Sequence, residues 1–374
     1  MCGMNPKVCY ILPSYDPAEG SHFFHLYEFL RRASRDLDIF LIIEKAKICP
    51  LDFPSGVYCQ KFSWPSLRAL ELFVLLSLKR IAGYKFFYTH YSFVGAFSSR
   101  FVSRIFGGVN FYWNCGMPWL YARGRFEEAA FRFALRHSIF VTGTVGILNA
   151  YQRHYGLKAK NTRVMPNWID TRRFSAKESI QELRGRLNIP EQAKVVLFVH
   201  RLSRRKGSHK ILPIAERVTK NVRDVIFLII GSGPEFENLK LEIINLKLEK
   251  NIRLVGEIAN RDIPAYFAVA DALFMPSEEE GFPHVLLEAM AAGVPVVSTK
   301  KGACGIEAID GEEILIATGP DEFANETIRL LKDRELRDRL ILNARFLVER
   351  KYDREKIGIK LARLYDRALT DRIL

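Results

Sequence analysis

Ser277-Glu278-Glu279-Glu280-Gly281-Phe282-Pro283-His284-Val285-Leu286-Leu287-Glu288-Ala289-Met290 decides how this 374-residue chain is read. An apolar, β-rich run, Ala272–Met275, ends at Pro276-Ser277, and helical periodicity begins near Pro283 or His284. Proline suits a first helical turn because its missing N–H is not needed there. The N–H groups of His284, Val285 and Leu286 then have no partner inside the helix. With the helix dipole they form an anion site suited to a diphosphate. Glu280 precedes the helix and Glu288 stands about one turn inside it. Carboxylates on both sides of an anion site can accept hydroxyls from both ends of a ligand. The plainer alternative is two ordinary carboxylates favouring a helix start.

Working outward, short apolar runs alternate with helical patterns along the whole chain. Val8–Leu12, Ile39–Ile43, Phe86–Thr89, Asn110–Trp113, Ile139–Thr142 and Arg163–Met165 read as strands. Phe23–Ser34, Ser66–Ile81, Phe93–Ile105 and Ile147–His154 read as helices between them. After a linker-like segment at Asn167–Glu191 the pattern restarts with Val195–Val199, Val225–Ile230, Ile252–Val255, Ala272–Met275, Val296–Ser298 and Ile314–Ile316. Helices are expected at His209–Lys220, Glu235–Leu246, Arg261–Ala268, Val285–Ala292, Pro320–Lys332 and Glu335–Arg350. Such alternation predicts α/β domains with parallel sheets, and the length suits two of them. The expected division is 1–170, 171–350 and a C-terminal helix over 351–374 packing back toward the first domain. Ile357, Leu361, Leu364 and Ala368 share one face of that helix. Ligands of doubly wound sheets bind at the C-terminal strand ends, which places the site in a cleft between the two domains.

Composition narrows the partners. The net charge is +14. Residues 1–170 hold 21 Lys and Arg against 11 Asp and Glu, whereas 171–374 hold 35 against 31. A basic N-terminal half suggests an anionic partner such as membrane lipid or a phosphorylated acceptor; a merely basic soluble surface is the bland reading. Nucleic acid is disfavoured, because aromatic and basic residues are not interleaved in a binding motif. The six cysteines form no CxxC pair and have no histidine cluster beside them. A disulfide framework and a zinc site are therefore not expected, and scattered thiols fit a reducing cytosol. The N-terminus shows no signal peptide. The most apolar run, Leu70–Leu78, is interrupted by Glu71 and falls short of the ~20 residues that span a bilayer. Asp36-Leu37-Asp38 has the form of an Asp-x-Asp metal motif, but it precedes a strand instead of ending one. No metal is expected.

Glu280-Gly281-Phe282-Pro283, Leu287-Glu288-Ala289-Met290-Ala291 and Gly293-Val294-Pro295-Val296-Val297 together resemble the signature of retaining family-4 glycosyltransferases. Phe198-Val199-His200-Arg201-Leu202-Ser203-Arg204-Arg205-Lys206-Gly207 resembles the Gly-Arg-Leu…Lys-Gly segment of that family, with His200 where glycine is usual. Ile229-Ile230-Gly231-Ser232-Gly233-Pro234 and Leu254-Val255-Gly256-Glu257 match its next two strand ends. Val164-Met165-Pro166-Asn167-Trp168-Ile169-Asp170 and Arg173-Phe174 resemble its interdomain segment, with Trp168 in place of glycine. The likeness is strong from about 139 to 345 and weak before that.

The resemblance implies the GT-B fold, two Rossmann-like domains facing across a cleft. It implies transfer of a sugar from a UDP- or GDP-sugar to a hydroxyl with retention, in glycan, glycolipid or cell-surface polysaccharide synthesis. Arg201 and Lys206 would stabilise the departing diphosphate, where two fixed cations can replace a metal. Glu280 would orient the donor sugar and Glu288 hold the ribose. Gly231, Gly233, Glu257, Gly281, Phe282, His284, Val285 and Leu286 would complete the donor site. The donor is then a co-substrate, with no cofactor. The acceptor would be a sugar, a lipid-linked molecule or another hydroxyl compound. Gly20, in Pro13-Ser14-Tyr15…Glu19-Gly20-Ser21, together with His90 and Asn114, are the candidate contacts of the N-terminal domain. An epimerase of the same shape would need acid and base groups around the sugar. A non-catalytic anion-binding module is the other alternative.

Ser66–Tyr88 mixes Leu67, Leu70, Phe73, Val74 and Leu78 with Arg68, Lys79, Arg80 and Lys85. An apolar face rimmed by lysine and arginine suits a membrane interface. A core-facing helix with a basic outer end is the competing expectation.

Overall fold

The computed structural model describes residues 5–16, 22–50, 52–175 and 180–370. The chain forms two compact units: residues up to Pro166 together with those from Glu355 onward, and Asn167–Arg354.

The first unit is built on seven parallel strands: β1 (Lys7–Leu12), β2 (Asp38–Ile43), β3 (Val57–Cys59), β4 (Phe86–His90), β5 (Val109–Trp113), β6 (Ile139–Thr142) and β7 (Thr162–Val164). Their order is β3-β2-β1-β4-β5-β6-β7. The central strands are continuous apolar runs, as a sheet covered on both faces requires. The helices Pro65–Ile81 and Phe93–Phe106 pack Leu72, Leu76 and Val102 on one face, against Cys9, Ile11 and Phe87. On the other face Tyr365, from the helix Arg354–Thr370, meets Phe86 and Phe111 at 5.1 and 5.5 Å between ring centroids.

The second unit carries six parallel strands: β8 (Lys194–Val199), β9 (Val225–Ile230), β10 (Ile252–Gly256), β11 (Ala272–Met275), β12 (Val296–Ser298) and β13 (Leu315–Ile316). Their order is β10-β9-β8-β11-β12-β13. Both sheets therefore reverse direction between their first and fourth strands, and such switch points open a crevice at the C-terminal strand ends.

Three strands or α-helices escaped the sequence reading, one of them the helix Ile180–Arg186 inside the linker-like segment. β3 is only three half-buried residues at a sheet edge, too short to show a period. The helix Arg125–Arg136 carries Glu127 and Glu128 in its first turn and Arg136 in its last, a start and stop signal that could have found it.

The expectation of no disulfide is corrected: Cys49 and Cys59 are bonded, with Cα atoms 6.0 Å apart. β3 pairs with β2 so that Ile43 lies opposite Cys59, and the chain leaving β2 brings Cys49 back to it. A pairing made by strand register leaves no CxxC trace. Scattered thiols thus lose their force as a sign of a reducing compartment. Among the described residues no helix is long and apolar enough to cross a membrane.

Candidate active site

Two loops of the second unit leave neighbouring strand ends at the switch point. One follows β8 and carries His200 to Lys210; the other follows β11 and carries Pro276 to Pro283. They pass at backbone contact. Gly207 has φ +77°, and a Cβ there would stand 2.3 Å from the Pro276 carbonyl oxygen. Gly231, at φ +127°, lies against the His200 carbonyl, which a Cβ would approach to 2.0 Å, and Gly233 lies similarly against Leu202. Glycine is required at such positions by sterics as well as by φ.

This closeness assembles a buried ionic cluster. Lys206 Nζ donates to Glu280 Oε1 at 2.6 Å and to the Glu279 carbonyl at 3.4 Å. The two side chains are 8% and 7% exposed. His200 Nε2 reaches the same Oε1 at 3.0 Å. The Arg201 backbone N–H donates to His200 Nδ1 at 2.8 Å, so the neutral ring carries its proton on Nε2 and gives it to Glu280. Burial lowers the His200 pKa against the pull of Glu280, which keeps the ring neutral near pH 7. Burial also pushes the Glu280 carboxyl up, but the hydrogen bonds and charges of His200 and Lys206 outweigh it and leave the pKa below the ordinary value. Burial lowers the Lys206 pKa, partly offset by Glu280. Both contacts to Glu280 fall on Oε1; Oε2 has no partner among the described residues.

Around this core the loops are tied by further pairs. Lys210 and His209 meet Glu278 at 2.9 and 3.4 Å, and Arg205 meets Glu279 at 3.2 Å. Arg201 is exposed, and its guanidinium faces no carboxylate among the described residues.

The helix His284–Ala292 begins one residue after Pro283, which has φ −79° and ψ 106° and so stands just outside the first turn. No side chain caps this start, leaving the first N–H groups to a ligand or solvent. Gly281 opens the turn, while Phe282 is buried against Tyr352, 5.8 Å between ring centroids, and fixes the loop. Val285 and Leu286 bury their side chains in the core, so only their backbone groups face outward. Glu288 is 8% exposed. Burial raises its carboxyl pKa to about 7, with Arg173 opposing the shift. Arg173 donates to Asn260 Oδ1 at 2.9 Å and to the Asn260 carbonyl. Sequence reasoning noted Arg173 only as part of a linker; its charge near Glu288 is a tertiary fact. Glu257 is exposed and accepts from Ser232 Oγ at 3.3 Å.

The candidates in the first unit are placed differently. His90 is 2% exposed, with Nδ1 at 2.8 Å from the Tyr10 hydroxyl and its ring stacked on Trp113 at 4.2 Å. Asn114 Oδ1 accepts from Gly116 N at 2.8 Å and from the Tyr151 hydroxyl at 3.1 Å. Gly20 lies outside the described residues. Among the described residues no three His, Cys, Asp or Glu side chains cluster as metal ligands.

Residues 179–346 match the family model of glycosyl transferases group 1. The chain is 28% identical over 245 residues to the N-acetyl-alpha-D-glucosaminyl L-malate synthase of Bacillus anthracis, covering 64% of this chain and 62% of that protein. It is 31% identical over 186 residues to the D-inositol 3-phosphate glycosyltransferase of Corynebacterium jeikeium strain K411, covering 47% and 44%. It thus spans less than two thirds of these curated relatives. Anabaena HepE, solved with UDP and glucose, superposes with a TM-score of 0.79 at 20% identity, over 97% of this chain and all of that one. Sucrose-phosphate synthase from Thermosynechococcus elongatus gives 0.78 at 20% identity, over 98% and 100%. The fold is GT-B, with two Rossmann-like units.

Proposed function

We propose that this chain, whose residues 179–346 match the family model of glycosyl transferases group 1, moves a hexose-type sugar from a UDP- or GDP-sugar to an acceptor hydroxyl with retention. The buried Lys206–Glu280 pair beside the uncapped helix start at His284 carries the reading. On this proposal the diphosphate lies at the helix start, where free N–H groups and the dipole favour anions. Arg201 and Lys206 stabilise the charge that develops as the glycosidic bond breaks. The departing phosphate takes the acceptor proton on the same face. Glu280 accepts a sugar hydroxyl through Oε2, its other oxygen being held by Lys206 and His200. Glu288 accepts from the ribose, and no metal takes part.

The acceptor on this reading is a sugar, a lipid-linked molecule or another hydroxyl compound. The work is done at the cytoplasmic face of a membrane, with the basic first unit against anionic lipid. The relatives support the donor class: one is a GDP-mannose-dependent mannosyltransferase of Mycobacterium tuberculosis, and HepE was solved with UDP. The test is nucleotide release from a panel of UDP- and GDP-hexoses, with soluble and lipid-linked acceptors, and NMR of the product's anomeric carbon. Acceptor-dependent release with retained configuration is expected. Inversion, or epimerisation of donor alone, would reject the proposal.

A further inference from the structure

One face of the first unit is apolar and uncovered. The helix Pro65–Ile81 turns Leu72 and Leu76 into the core, yet Leu67, Leu70, Val74, Leu78 and Ile81 stand outward, Ile81 being 73% exposed. Their spacing of three and four residues sets them in a single stripe along the helix. The helix is therefore apolar on both its inner and its outer side. Its neighbour Phe93–Phe106 covers the same face of the sheet and repeats the feature, with Phe97, Phe101 and Ile105 exposed at intervals of four. Trp64, at the N-terminal end of the first helix, is 74% exposed. The second unit shows what an ordinary solvent face looks like: the helix Ile211–Asn221 buries Ile211, Ile214 and Val218 and turns Arg217 and Lys220 outward.

Charge on this face has one sign. Residues 61–110 contain seven Lys and Arg, of which Arg68 is buried in an ion pair with Glu44, and a single carboxylate, Glu71. Glu71 is occupied at the inner edge by the Tyr58 hydroxyl at 2.7 Å and the Lys61 backbone N–H at 2.9 Å. Arg100 and Arg104, beside the Phe97–Phe101–Ile105 stripe, converge with Arg136 on His137. Burial and these three charges lower the His137 pKa. Soluble monomers rarely leave contiguous apolar stripes on adjacent helices. A protein partner of acidic character would complement the arginines but not the long aliphatic row on the neighbouring helix. A bilayer with anionic headgroups complements both, with acyl chains for the stripe, phosphates for the arginines and an interfacial position for Trp64.

We propose that the outer face formed by the helices Pro65–Ile81 and Phe93–Phe106 is a docking surface that seats this protein on an anionic phospholipid bilayer. It deepens the membrane contact proposed above and rests on that reading, while standing apart from sugar transfer itself. The helix Pro65–Ile81 lies in the interface plane, Leu70, Leu78 and Ile81 enter the acyl boundary, and Arg100 and Arg104 meet headgroup phosphates.

The experiment is flotation of the full chain at low salt with vesicles of equal parts phosphatidylcholine and phosphatidylglycerol, against vesicles of phosphatidylcholine alone. Wild-type protein is expected to float only with the mixed vesicles and to be released as salt rises. The variant L70S/L78S/I81S should lose roughly tenfold or more of its vesicle affinity, and R100Q/R104Q should weaken mixed-vesicle binding. Leu70, Leu78, Ile81 and Arg104 are exposed and Arg100 is half-buried, so folding is checked by thermal melting and UDP- or GDP-induced stabilisation of the same samples. Failure of wild type to float, or flotation of the triple variant at wild-type affinity, overturns the proposal. So does a wild-type dimer that the triple variant converts to monomer without any vesicle binding. Loss of flotation with nucleotide stabilisation intact separates this surface from the donor site.

Discussion

The two sheets share one strand order around their switch points but use that position differently. In the second unit the ends of β8 and β11 carry a lysine, a glutamate and a histidine brought together by glycine-tight loops, with an uncapped helix start beside them. In the first unit the end of β4 carries His90 in an aromatic stack of Tyr10, Tyr88 and Trp113. Rings stacked at 4.2 to 5.8 Å fill space and stiffen a strand end. A buried charge pair instead costs desolvation energy that its mutual attraction and hydrogen bonds must offset. The contrast teaches that a shared topology locates a crevice, while the chemistry at its lip is set separately in each unit.

The first unit also has a buried ion pair, away from that lip, and it offers the largest effect. Glu44 and Arg68 are 6% and 9% exposed and are joined directly, and Ser92 donates to the other Glu44 oxygen while capping the helix Phe93–Phe106. Glu44→Ala leaves a buried guanidinium without its carboxylate and should cost about 3–5 kcal/mol of stability in denaturant unfolding. UDP or GDP binding by the second unit should be unchanged. A loss of nucleotide binding as large as the loss of stability would break the division between a structural pair and a functional one.

Lys206→Met tests the other side of the comparison. It removes a fixed cation from the developing diphosphate, and turnover should fall by about 100- to 1000-fold, some 3–4 kcal/mol in the barrier. Nucleotide-release kinetics would show it, and near-normal turnover would reduce Lys206–Glu280 to scaffolding like Glu44–Arg68.

Much of the second unit was legible because its signals are local. Strands such as Val225–Ile230 are unbroken apolar runs, and Gly231, Gly233 and Gly207 mark turns that no other residue could make. What was not legible depended on side chains meeting across the sheet. His200 read only as a substitution for glycine, yet its ring shares Glu280 Oε1 with Lys206. Arg173 read as linker, yet its charge acts on Glu288. Lys206 read as a cation for phosphate alone, and its bond to Glu280 appears only once Gly207 lets the loops touch. In the first unit the Cys49–Cys59 bond and β3 depend on strand register, which composition does not encode. The exposed stripe on Pro65–Ile81 was ambiguous for a related reason: a helix apolar on both sides has the same sequence whether its outer side meets protein, lipid or water.

Glu288 gives the smallest and most diagnostic effect. Burial raises its folded-state pKa to about 7, against 4.5 for the free side chain. Below the unfolded value the group is protonated in both states and costs nothing. As pH rises toward 7, the unfolded chain ionises freely while the folded chain resists, so the stability this group allows is lost through that window and is gone above it. The full shift corresponds to about 3 kcal/mol, some of it offset wherever the site relaxes toward solvent. Glu288→Gln has no proton to lose and should flatten this part of the pH–stability curve of the unliganded protein. Bound UDP or GDP should flatten it as well, because ribose hydroxyls satisfy the carboxylate and bring its pKa down. If the variant titrates like wild type, the burial of Glu288 is not what sets its chemistry. The contrast between an ionisable lip in the second unit and an aromatic one in the first would then rest on Lys206, Glu280 and His200 alone.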